Sequence, residues 1–271
     1  MALPILLSIP HGGSQTPPEV ADRVIASPAD IFEDGDPFTP EIYDLGDRVV
    51  HVESARIARA FVDLNRAEDD RPPGNPDGVV KTATCFDRPI YSASLDDETT
   101  ERLLARYHRT YHAALEEEAR DAGAVLALDC HSMAAVPPPV APDADRPRPL
   151  FCVSNGDGVT CDDGLLRELA ARLVDAFECR PGDVTLNRPF KGGYITRRHG
   201  RHPLPWIQVE MNRSLYLTDP WFDPDRRRGD PERLRELRER FWNALARLDL
   251  DRSRPATPSS SPAREPGSRR G

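Results

Sequence analysis

Two histidines in this chain follow apolar runs. Leu6-Leu7-Ser8-Ile9-Pro10 leads into His11-Gly12-Gly13, and Ala124-Val125-Leu126-Ala127-Leu128 leads into Asp129-Cys130-His131-Ser132. A short apolar run bounded by turn residues reads as a buried strand, and open α/β folds bind ligands beyond the carboxyl ends of their strands. Two imidazoles presented in this way can converge on one metal ion. A catalytic zinc takes three protein ligands, often two histidines and a carboxylate, and keeps one position open. The acidic stretch Glu33-Asp34-Gly35-Asp36-Pro37-Phe38-Thr39-Pro40-Glu41 is the source of that carboxylate, with Asp36, Asp34 and Glu41 all eligible on spacing. Histidine and carboxylate donors also suit other divalent ions.

Three more constellations carry chemistry. Val62-Asp63-Leu64-Asn65-Arg66 ends in a guanidinium, whose planar fork matches a carboxylate, with the Asn65 amide beside it. Trp206-Ile207-Gln208-Val209-Glu210-Met211-Asn212-Arg213 reads as a strand on which Gln208 and Glu210 share a face. A carboxylate on a buried strand is costly unless used or paired, and a glutamate beside a metal-activated water is a natural general base. Phe190-Lys191-Gly192-Gly193-Tyr194-Ile195-Thr196-Arg197-Arg198-His199-Gly200 is a glycine- and arginine-rich loop suited to closing over an anionic substrate. It lacks the spacing of a P-loop.

The elements that must position these groups are legible as strands at 4–9, 60–64, 124–129, 149–154, 183–187 and 205–211. Helical periodicity appears at 41–51, 97–121, from Asp162-Asp163 through Phe177, and at 230–248. Interleaving of the two kinds predicts an α/β chain with a mixed sheet. Long irregular stretches at 67–80 and 134–149, the second with six prolines, follow strands and can border a site. The 271 residues suffice for one large domain, taken as 1–251. The Ser/Pro/Arg/Gly-rich tail 252–271 lacks a core and is expected to be disordered.

A net charge of −9 argues against nucleic acid as partner, and no apolar stretch reaches the length of a membrane span. Residues 1–9 lack a basic start and a cleavage site and run straight into His11. They read as a first strand, which makes the cytoplasm the expected compartment. Five cysteines without a Cys-x-x-Cys pair read as reduced, mostly buried thiols. Strand alternation should turn Cys130 away from its neighbours His131 and Asp129.

Taken in order, Pro10-His11-Gly12-Gly13, Val62-Asp63-Leu64-Asn65-Arg66, Asp129-Cys130-His131-Ser132, Lys191-Gly192-Gly193-Tyr194-Ile195-Thr196-Arg197 and Gln208-Val209-Glu210 resemble the N-formylglutamate amidohydrolase family over roughly residues 4 to 218. The resemblance implies a zinc-carboxypeptidase-like (phosphorylase/hydrolase-like) fold, a single α/β domain with a central mixed sheet flanked by helices. It implies one Zn2+ per chain held by His11, His131 and Asp36, Glu210 as general base, and Asn65 and Arg66 on substrate. Arg197 and Arg198 are expected to hold substrate carboxylates. The implied activity is hydrolysis of the amide of a small anionic N-acyl amino acid, N-formyl-L-glutamate foremost. The alternatives are a carboxypeptidase-like peptidase and a non-catalytic anion-binding protein.

Overall fold

Alternation along three central strands sorts their side chains between two cores. Ile5, Leu7 and Ile9, then Leu126, Leu128 and Cys130, then Ile207, Val209 and Met211 all pack in one apolar cluster. Leu6, Ala127 and Trp206, from the intervening positions, pack in a second. The period of two that governs a pleated strand thus places Ser8, Asp129, His131, Gln208 and Glu210 on the face of Leu6, Ala127 and Trp206. That face is apolar at the strand starts and polar toward their carboxyl ends.

The computed structural model describes residues 2–120, 123–137, 143 and 146–250. Its main sheet has six strands: β1 (Leu3–Ile9), β2 (Val49–Ser54), β3 (Leu126–Met133), β4 (Phe151–Ser154), β5 (Val184–Leu186) and β6 (Trp206–Asn212), in the order β2-β1-β3-β6-β4-β5. All neighbours are parallel except β4 against β6, so the sheet is mixed, as expected. A small antiparallel pair, β7 (Phe222–Asp223) and β8 (Arg228–Gly229), stands apart.

The helices are α1 (Pro28–Asp34), α2 (Thr39–Tyr43), α3 (Asp97–Leu103), α4 (Arg109–Arg120), α5 (Asp163–Phe177), α6 (Tyr194–His199) and α7 (Pro231–Leu245). Their starts are written in the sequence: Ser27 makes a capping box with Asp30, and Asp96, Asp162 and Asp230 accept from backbone amides of the first turns of α3, α5 and α7. A π-helical turn, Leu104–His108, joins α3 to α4. Helices α2, α5 and α7 cover the first core, and α3 and α4 cover the second. Among the described residues no helix is long and apolar enough to cross a membrane.

Two expected elements are different. Residues 60–64 are turn and irregular backbone, not a strand: Ala60, Phe61, Val62 and Leu64 are buried in the second core without joining a sheet. The second strand is instead Val49–Ser54, inside and beyond the stretch whose periodicity suggested a helix at 41–51. The tail 252–271 lies outside the described residues.

Candidate metal centre and active-site cavity

The β1 exit carries His11. Gly12 and Gly13 allow the chain there to pass against its neighbours, because a Cβ on Gly12 would run into Pro40 and one on Gly13 into the Ile57 carbonyl. The loop after α1 is tied to this exit by the Asp36 amide, which donates to the His11 carbonyl at 2.9 Å. His131 lies within β3, two residues before its end, and pairs in register with Glu210 of β6. Three buried side chains therefore meet: His11 Nδ1 and His131 Nδ1 are 3.2 Å apart, and Asp36 Oδ2 is 3.5 and 3.3 Å from them. Ligand atoms at zinc bond lengths of about 2.0–2.1 Å and tetrahedral angles stand about 3.3 Å apart. The triangle has the size that such an ion requires, and these three residues could hold one.

The other nitrogen of each ring fixes the tautomer. His11 Nε2 lies 2.8 Å from Asp63 Oδ1, and His131 Nε2 lies 3.0 Å from Asp129 Oδ1. An ionised carboxylate only accepts, so each Nε2 carries a hydrogen and each Nδ1 turns a lone pair toward the centre. Two lone pairs at 3.2 Å repel unless a cation or proton lies between them. The electrostatics agree: burial disfavours charge on His131, yet Asp129, Asp36 and Glu210 outweigh it and raise its pKa well above the imidazole range.

A second tier holds the carboxylates. Asp36 Oδ1 accepts from Arg213 Nη2 at 2.8 Å and Oδ2 from the Ser132 amide at 3.1 Å. Burial alone would raise the Asp36 carboxyl, but the two histidines, which hydrogen-bond to it when a proton takes the place of a cation at Nδ1, and the Arg213 charge hold it well below its usual range. Asp63 accepts from Arg59 Nε and from the Asn65 amide, both at 2.9 Å. Its carboxyl is likewise depressed, the Arg59 and His11 interactions outweighing burial. Asp129 accepts from Thr196 Oγ1 at 2.9 Å.

A cavity of about 370 Å3 opens over this centre, bordered by Asn65, Arg66, Arg148, Phe190, Gln208 and Glu210. Gln208 Nε2 donates to Glu210 Oε1 at 2.9 Å, while its own Oε1 accepts from the Gly193 amide. Burial pushes the Glu210 carboxyl up to about 7, despite the nearby His131. The Arg66 guanidinium faces Asp77, Asp70 and Asp63 at 3.2, 3.4 and 3.7 Å. Arg148 chelates Asp143 and lies over the Phe190 ring.

The structure thus brings His11, Asp36, His131, Asn65, Arg66 and Glu210 to one cavity. It does not bring Arg197 and Arg198 there. Both are exposed on α6, and Arg198 donates to Glu116 and to the Tyr194 hydroxyl. Of the other eligible carboxylates, Asp34 is buried on Lys81 Nζ, at 2.8 and 2.7 Å, and Glu41 is exposed. Sequence reasoning gave no role to Arg59, Lys81, Arg148 or Arg213. Arg213 had one signal, its place at the end of the Glu210 strand. Asp63 and Asp129 lay inside singled-out motifs without a role. Cys130 packs in the first core, away from the centre.

Comparisons with known proteins give the family of the chain. A family model described as N-formylglutamate amidohydrolase matches residues 3–217. The N-formylglutamate deformylase of Pseudomonas aeruginosa is 32% identical over 235 residues, 80% of this chain and 83% of that protein. The enzyme of the same name from Pseudomonas putida is 30% identical over 233 residues, 81% and 84% of the two chains. Among solved structures, N-formylglutamate amidohydrolase from Ralstonia eutropha superposes with a TM-score of 0.74 at 25% identity, covering 90% of this chain and 92% of that one.

Proposed function

The chain belongs to the N-formylglutamate amidohydrolase family, and from that premise we propose that it hydrolyses the amide of a small anionic N-acyl amino acid. N-formyl-L-glutamate, giving L-glutamate and formate, is the leading substrate. The observation that carries the reading is the triangle of His11, His131 and Asp36 donor atoms facing Glu210 and Asn65-Arg66 across one cavity.

The donor set, two neutral imidazoles and one carboxylate, suits a single zinc ion. A divalent ion bound there supplies Lewis acidity, polarising the acyl carbonyl and acidifying water. Glu210 takes the proton of the attacking water and passes it to the leaving amine; a carboxyl near 7 is matched to both tasks. Gln208 occupies Oε1 of Glu210, which leaves Oε2 for the proton. Arg66 shares its two Nη groups with Asp70 and Asp77, and the second N–H on each is the donor it can offer to a substrate carboxylate or to the oxyanion that develops on the carbonyl. The Asn65 amide is oriented by its Oδ1, which accepts from the Ile195 amide at 2.8 Å, so its NH2 stands at the cavity, 3.4 Å from His131 Nε2.

The test is formate release from N-formyl-L-glutamate by the metal-loaded protein, beside Glu210→Gln. The wild type should turn over, and the variant should keep its metal and lose at least about a hundredfold in kcat. Full turnover by the variant would sink the role of Glu210. No formate from a metal-loaded wild type would sink the substrate.

A further inference from the structure

Three other histidines are buried behind the substrate side of the cavity, outside the metal centre. His108 lies at the end of the π-helical turn and His112 one turn later on α4, so both face the same way. His108 Nε2 is 2.8 Å from the Arg66 carbonyl, and His112 Nε2 is 3.0 Å from the Leu64 carbonyl. The two rings thus hold the backbone on either side of Asn65. A π turn inside an α-helix is an uncommon feature that recurs at functional sites. Here it aims His108 at the carbonyl of the arginine that lines the cavity.

The hydrogen positions follow from the partners. A carbonyl only accepts, so Nε2 of both rings carries hydrogen. Neutral His112 then accepts at Nδ1, and its neighbour there, His199 Nε2 at 2.8 Å, must donate. His199 closes α6, whose first turn is bound to the same loop through the Ile195 amide on Asn65 Oδ1. Gly193, just before α6, has no room for a Cβ against the Asn65 amide. Residues 64–66 are therefore gripped from two sides by α4 and α6, and His112-His199 joins those two helices.

We propose that His112, supported by His199, is a positioning residue for substrate: it sets where the Asn65 amide and the Arg66 guanidinium stand in the cavity. The three rings themselves stand off the metal-ligand triangle, and the arrangement meets it at Asn65, whose Nδ2 lies 3.4 Å from His131 Nε2 and whose backbone N–H donates to Asp63, the partner of His11. The groups facing the three rings are Glu68 and Asp63 toward His108, Arg198 and Tyr194 beside His108 and His112, Tyr111 beside His112, and Arg198, Glu116, Asp129 and Trp206 around His199. The inference deepens the proposed hydrolase reading and rests on it for the substrate, while its structural part does not need one.

The experiment compares His112→Phe, which keeps a ring but loses both hydrogen bonds, with His112→Gln, whose amide can still donate to the Leu64 carbonyl. In metal-loaded protein, His112→Phe should exchange the Ile195 amide faster than wild type. It should raise KM for N-formyl-L-glutamate about tenfold, with kcat within about threefold and metal content unchanged. His112→Gln should recover most of the KM. Should His112→Phe not fold, His199→Leu removes the donor to Nδ1 alone and is read by the same exchange and KM.

Unchanged Ile195 exchange in a folded variant overturns the proposal. So does faster exchange with unchanged KM, or a loss confined to metal content. If wild type fails to hydrolyse the substrate, the hydrolase reading falls, and the Ile195 exchange still decides whether His112 grips the loop.

Discussion

The molecule holds two groups of buried histidines that share a residue type and differ in what stands behind each ring. At the metal centre, His11 and His131 have carboxylates on Nε2, from Asp63 and Asp129. In the second group, His108 and His112 have backbone carbonyls there, and His112 has another imidazole on Nδ1. The consequences are opposite. Burial penalises charge at both places, but the carboxylates around His131 overcome it and raise its pKa. A carbonyl carries no net charge, so burial wins in the second group: His112 is pushed down to about 2 and His199 to about 4, with the Arg198 charge contributing to both. A carboxylate behind an imidazole makes it a receptor for a cation; a carbonyl makes it a neutral clamp.

The largest effect should come from the triangle itself. His131→Ala or Asp36→Asn should reduce bound zinc from about one per chain to near none, measured by elemental analysis, and reduce hydrolysis to the background rate. A chelator should do the same to wild type, with zinc restoring it. Retention of one tightly bound zinc by His131→Ala would break the distinction between the two groups at its root.

One step back stand the carboxylates. Asp63→Asn and Asp129→Asn replace an acceptor-only partner with an amide that can present hydrogen to Nε2, so the tautomer is no longer enforced. Zinc affinity should weaken about 10- to 100-fold, read by chelator competition. Arg213→Met, which leaves Asp36 Oδ1 without its 2.8 Å partner, should weaken it in the same direction. Unchanged affinity in all three would mean that the triangle alone makes the receptor.

This division was partly legible in the sequence. β1, β3 and β6 announce themselves because each is an apolar run entering a polar motif, and the pleat then fixes which side chains share the face of His131 and Glu210. β2 was hidden because only Val49 in it is fully buried and polar His51, Glu53 and Ser54 interrupt its valines, so Val49–Ser54 has no continuous apolar signature. Residues 60–64 misled for the converse reason. They are apolar because a second core covers them, and burial without a sheet leaves no mark of its own. Asp34 and Asp36 are alike in composition and spacing; what separates them is Lys81, 47 residues beyond Asp34, and no local pattern reveals that pairing. The second histidine group was unreadable for the same reason, since it joins α4, α6 and the loop at 64–66 across the fold.

The second group should show itself in stability against pH. His112 and His199 have folded pKa values below the unfolded value near 6.5, so the unfolded chain binds more protons as the medium acidifies. Their contribution is fully present above about pH 6.5 and is lost progressively as pH falls toward their folded values. Between pH 6.5 and 5 the loss should be about 1–3 kcal/mol for the two together, read as a falling urea midpoint. His112→Gln should be less sensitive over that window. Equal sensitivity in the variant would show that the clamp is not a neutral-histidine device.

The smallest effect tests the arginines of α6. Arg197 is exposed, and the ion pair of Arg198 with Glu116 is 44% and 37% exposed at its two side chains. Such a pair contributes little to stability, about 0–1 kcal/mol. Arg197→Ala and Arg198→Ala should each leave KM for N-formyl-L-glutamate within about twofold, because neither side chain borders the cavity. Arg198→Ala has one further consequence. Its positive charge lowers the proton affinity of His112 and His199, so removing it lets both rings protonate more readily when folded. The gap between folded and unfolded pKa values narrows, and the loss of stability below pH 6.5 should become shallower than in wild type. A steeper acid loss in Arg198→Ala would mean that its ion pair to Glu116, rather than its field at the histidines, is what that part of the fold depends on.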